Sequence, residues 1–206
     1  MSGCFRPLHV GALVESVLID LQAVQFDTDT LMKIPPDYVP HLDHRITSLM
    51  AFTVRRDRGW FCAGSGDLYR ASLEGSGIML RMLMEFLGVK ANRKKPTELT
   101  VSNDGDVRLG IGGLKLIEPV KPDVVNRTVD GPFLARMHSE ASKRTAHPQF
   151  FELKSGLDPD DLRKATKWVV GDIWRRCYEP DAITVHGDLF CLLQNGRWED
   201  IPFKSA

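Results

Sequence analysis

Read at 100° per residue, the segment 69–87, YRASLEGSGIMLRMLMEFL, is apolar almost all the way round. Tyr69, Leu73, Leu80, Leu83, Met84 and Leu87 share one face, and Met79, Met82 and Phe86 cover most of the rest. One narrow polar stripe remains, built from Glu74, Arg81 and Glu85. A helix of this kind is normally enclosed by other helices. Its Arg and Glu are then either a thin solvent-facing strip or a buried polar site, and the pattern alone leaves both open. The helix stops at Gly88, since glycine accepts the left-handed conformation that ends a helix.

The same periodicity predicts further helices. Residues 37–54 carry Leu42, Ile46, Leu49, Met50 and Thr53 at helical spacing after the breaker Pro35-Pro36. Pro40 fits its first turn, where backbone N–H groups have no partner inside the helix. Residues 130–146 place Phe133, Leu134, Met137 and Ala141 inward, with Asp130 as cap and Pro148 beyond the end. In 159–178, Leu162, Ala165, Val169, Ile173 and Cys177 make the buried stripe. Asp158 caps this helix, and Asp160 and Asp161 complement its positive end. Residues 10–26 fit a helical face through Val14, Val17, Leu18, Leu21 and Val24, and also fit a strand; the helix is the preferred reading.

Two β signals interrupt the helices. Residues 98–101 and 107–111 flank an Asp-Gly turn, which predicts a hairpin. Near the end, 190–193 and 198–201 flank Asn195-Gly196, a pair that favours the type I′ turn. The expected architecture is therefore mainly α, a single domain over 1–206. Four or five helices form a bundle over about 37–180, with a small β excursion near 97–113 and a C-terminal β-hairpin near 183–203.

Lys+Arg and Asp+Glu both number 27, so no global charge draws the chain to nucleic acid or to an acidic membrane. Any such attraction has to be local, and Lys90, Arg93, Lys94 and Lys95 are the densest cluster. No apolar run reaches membrane-spanning length, and the N-terminus lacks the pattern of a signal peptide. Cys4, Cys62, Cys177 and Cys191 are widely spaced and form no CxxC pair, which suits reduced thiols in the cytoplasm.

Candidate chemistry is sparse. His41 and His44, at i and i+3, have a spacing that can bind one metal ion, but no third ligand stands at a diagnostic distance. The alternative is two polar residues near a helix start, and no cofactor is expected. Gly110-Ile111-Gly112-Gly113 lacks the Lys-Ser/Thr of a phosphate loop. The remaining constellation joins Arg81, on the narrow stripe, to Arg144 and His147 at the end of 130–146. A His beside an Arg can act as general base while the guanidinium stabilises a phosphorane-like charge, chemistry suited to RNA cleavage. The structural alternative has Arg81 bridge to Glu85 one turn on and His147 cap neighbouring carbonyls; Arg81 and Glu85 are also the candidate ligand-binding residues, for an anion such as phosphate.

The piece Leu80-Arg81-Met82-Leu83-Met84-Glu85-Phe86-Leu87, then Ala141-Ser142-Lys143-Arg144-Thr145-Ala146-His147, then the amphipathic helix Leu162 to Tyr178, resembles helical bacterial proteins related to HEPN domains (higher eukaryote and prokaryote nucleotide-binding). The resemblance covers roughly 65–180 with gaps. It implies an α-helical bundle, frequent homodimers and, in active members, metal-independent RNA cleavage. Active members carry Arg and His separated by several residues on one helix. Here Arg144 and His147 are too close, and so are Arg136 and His138. The helix arrangement carries over, with Arg81 and His147 at the matching positions; the ribonuclease activity does not. Three functional readings follow. The first is a non-catalytic or degenerate HEPN-like protein acting through protein or RNA contacts. The second is a metal-independent ribonuclease of a toxin or defence system using Arg81, Arg144 and His147. The third is a small-molecule or metal-binding regulator using His41 and His44.

Overall fold

Two long antiparallel helices supply the frame in the computed structural model, which describes residues 36–61, 66–102, 120–146 and 157–179. The first, α1 (Val39–Asp57), follows a 3-10 turn at Pro36–Tyr38 and holds Pro40 in its first turn. The second, α2 (Gly66–Phe86), contains the nearly all-apolar segment. Leu42, Leu49, Met50 and Phe52 of α1 and Leu80, Leu83 and Met84 of α2 have no exposed surface. Burial of this apolar area is the main drive that holds the pair together. Ser76 Oγ donates to the Ser48 carbonyl at 3.3 Å, and Phe52, Phe61 and Tyr69 interlock by their rings at 5.0–5.7 Å.

The apolar face of α2 opposite this core is not enclosed among the described residues. Leu68 is 56 % and Ile78 37 % exposed, and Ala71 between them is also exposed. The expectation of a surrounded helix therefore holds all round for residues 83–86, and on one side only for the turns before them.

Gly88, at φ 88°, turns the chain out of α2 into β1 (Val89–Ala91), which pairs antiparallel with β2 (Leu99–Val101). Residues 99–101 pair with 89–91, a partner the pattern does not foresee, and the second half of the predicted hairpin, 107–111, lies outside the described residues. Two local interactions explain the choice. Asn92 Oδ1 accepts from the amides of Lys94 and Lys95, closing the 92–98 turn, and Val89 and Leu99 are both buried. The outer edge of β2 is met by a side chain. Asn126 Oδ1 accepts from the Leu99 amide at 2.8 Å, and Asn126 Nδ2 donates to the Leu99 carbonyl at 2.9 Å. One carboxamide thus takes the place of a neighbouring strand at that residue.

Asn126 belongs to α3 (Pro122–Asn126), a short helix the hydrophobic pattern does not foresee. The next helix, α4 (Asp130–Ala146), begins at Asp130. That residue is its first helical position and not its cap, and its carboxylate pairs with Lys164 at 2.9 Å. The last helix, α5 (Pro159–Ile173), starts as predicted, with Asp158 Oδ1 accepting from the amides of Asp160 and Asp161 at 2.8 and 3.0 Å. It passes into a π-helical turn, Trp174–Tyr178, which widens its last turns. Trp174 and Tyr178 stack there, and Tyr178 Oη donates to Asp43 Oδ1 of α1 at 2.5 Å. The fold is thus mainly helical with one small antiparallel sheet. The expected segments 10–26 and 183–203 lie outside the described residues.

Candidate functional site

The polar stripe of α2 finds its partner on α4. Arg81 and Glu85 stand one turn apart, and Arg81 Nε donates to Glu85 Oε1 at 2.8 Å. The same oxygen lies 3.2 Å from His138 Nε2. His138 falls on the inward arc of α4, four residues after Leu134 and three before Ala141, both buried. It is 5 % exposed and Glu85 8 %. An imidazole pressed into that arc needs a polar partner, because a buried donor left unpaired costs about 1–3 kcal/mol. The narrow stripe of α2 offers one, and the two helices dock with Glu85 facing His138.

Burial pushes the Glu85 carboxyl upward. The hydrogen bonds from His138 and Arg81, with their charge, outweigh this and leave it below the ordinary carboxylate range. An ionised Glu85 accepts only, so hydrogen-bond logic places a proton on His138 Nε2. In the neutral ring Nδ1 is then an acceptor, 3.4 Å from Ser142 Oγ one turn on. Glu85, His138 and Ser142 thus line up in the order acid, base, hydroxyl. The hydroxyl, however, donates to the His138 carbonyl at 2.8 Å, as serines within helices commonly do. The arrangement orients His138 and joins α2 to α4. It does not present an activated nucleophile.

The sequence-derived residues fare differently. Arg81 and Glu85 are brought together, and the Arg81 side chain keeps 36 % of its surface exposed. Arg144 sits in the last turn of α4, but its side chain and His147 lie outside the described residues. His138 occupies the place facing Arg81's partner, and sequence reasoning passed over it. Its signal was available: a histidine on an otherwise apolar helix face at the Leu134–Ala141 spacing. His41 and His44 both face solvent, while Asp43 between them turns inward to Tyr178. Among the described residues no three His, Cys, Asp or Glu side chains gather as a metal site. No described helix is long and apolar enough to cross a membrane.

The chain matches no family model, no curated protein and no solved structure.

Proposed function

We propose that this chain is a HEPN-like helical binding protein that acts through protein or RNA contacts and does not itself cleave RNA. The observation supporting the reading is the double use of Glu85 Oε1, which takes both Arg81 Nε and His138 Nε2. A general base must reach the proton it removes, directly or through one water. His138 is buried, and Nε2 is committed to a carboxylate. The arginine at the position the resemblance highlights is held in the same pair. In this reading the protein works in the cytoplasm, as the homodimer that the resemblance implies.

The test is incubation of the full chain with end-labelled single-stranded RNA in chelator, with fluorescence anisotropy read in parallel. Intact RNA, with binding of RNA or retention of a protein partner, is the expected result. RNA shortening that Arg81→Ala abolishes would replace this reading with the metal-independent ribonuclease. Sedimentation of the same samples reads the dimer.

A further inference from the structure

A groove of about 390 Å³ runs between the 92–98 turn and the outer face of α4. It is lined by Pro96 and Thr97 of the turn and by Pro132, Phe133, Arg136, Ser139, Glu140 and Lys143 of α4. Arg136 and Lys143 stand seven positions apart, about 10 Å of helix. The neighbouring turn adds Arg93, Lys94 and Lys95, all exposed.

Most cations here are matched. Lys95 pairs with Glu98, Arg136 with Asp161 and Lys143 with Glu140. Arg93 and Lys94 enter no ion pair among the described residues, so the turn beside the groove carries surplus positive charge on a chain whose formal net charge is zero. Phe133 selects among anionic partners. Phe133 has Lys164 Nζ 4.5 Å and Arg136 Cζ 5.6 Å from its ring centroid. A ring already engaged by two cations is a poor platform for a stacking nucleobase, the contact on which single-strand binding relies. Pro96 and Pro132 instead offer apolar surface that suits an aliphatic side chain.

We propose that this groove docks an acidic peptide segment of a partner protein, with an apolar side chain against Pro96 and Pro132 and carboxylates facing Arg93 and Lys94. The proposal rests on the protein-contact half of the functional reading and goes further by naming the surface and the chemistry of the partner. Such a contact gains rate and specificity from charge complementarity and weakens with salt.

The test uses a fluorescein-labelled peptide alternating glutamate and leucine, titrated with the full chain. A lysine–leucine counterpart and single-stranded poly-uridine run beside it. Arg93 and Lys94 are exposed, so the double variant Arg93→Glu/Lys94→Glu should fold, and circular dichroism checks this. The expected result is saturable, salt-sensitive binding of the acidic peptide, weakened at least about tenfold by the double reversal, with no binding of the basic peptide. Three outcomes overturn the proposal: no saturable binding of the acidic peptide, binding indifferent to the reversal, or equal binding of the basic peptide. If poly-uridine binding alone falls in the variant, the groove is an RNA site. The docking proposal then fails while the broader reading of a non-catalytic binding protein stands.

Discussion

His138 of α4 and Glu85 of α2 meet at 3.2 Å between Nε2 and Oε1, fifty-three positions apart in sequence, with both side chains buried. Because Arg81 shares that oxygen, the pair is part of a three-residue bridge whose outer end reaches solvent. The bridge fixes which edge of α2 faces α4.

The bridge predicts a pH-dependent stability difference. Glu85 has a native pKa below its ordinary value. Its contribution is therefore complete above the unfolded carboxylate pKa, about 4.3, and is lost as pH falls through the lower native value. Near pH 7 Glu85→Gln should destabilise by about 1.5–3 kcal/mol, the scale of a hydrogen bond to a charged group. Urea titrations of both proteins should show this gap shrinking below about pH 4. A gap that stays constant from pH 7 to pH 3 would mean that the carboxylate charge contributes nothing.

Leu80 lies at the centre of the α1–α2 contact and has no exposed surface. Leu80→Ala should cost about 2–5 kcal/mol, combining lost transfer energy with the cavity left behind. On the opposite side of the same helix, Ile78→Ala should change stability by no more than about 0.5 kcal/mol, as for a surface residue. Equal losses at the two positions would show that the outward face of α2 is covered in solution.

The Asp158 cap serves two amides at the start of α5. Asp158→Ala should lower stability by about 0.5–2 kcal/mol, whereas Asp158→Asn should retain most of it, because asparagine caps comparably. Thermal melts of the two variants distinguish capping from charge. Loss of the same size in both would point to charge at the helix end.

Cys177 is a buried free thiol on the π-helical turn. Burial, reinforced by nearby Asp172 and only partly offset by Arg176, pushes its pKa up to about 12. At pH 8 the thiolate, which is the reactive form, is then scarce as well as covered. Peptide mapping after labelling with a thiol reagent should find Cys177 unmodified in the native protein and modified in guanidinium. Rapid native labelling of Cys177 would contradict its burial.

The long helices α1, α2, α4 and α5 were legible from local pattern because each is specified within its own segment. Leu42, Ile46 and Leu49 mark the inner face of α1 by spacing alone, and Asp158-Pro159 announces the start of α5. The Arg81–Glu85 pair was legible for the same reason, since one helical turn guarantees the contact. Three features needed the packed chain. Leu99 pairs with Ala91 across a turn that Asn92 closes, and the edge beyond it is taken by Asn126, twenty-seven residues on; no periodicity encodes that match. His138 gained its partner only when α4 docked beside α2, because the sequence shows a histidine on an apolar face but not which carboxylate comes to meet it. The outward side of α2 carries apolar residues too, Leu68, Ala71 and Ile78. What separates buried Leu80 from exposed Ile78 is which side α1 packs against, a property of the assembled fold that residue type alone does not fix.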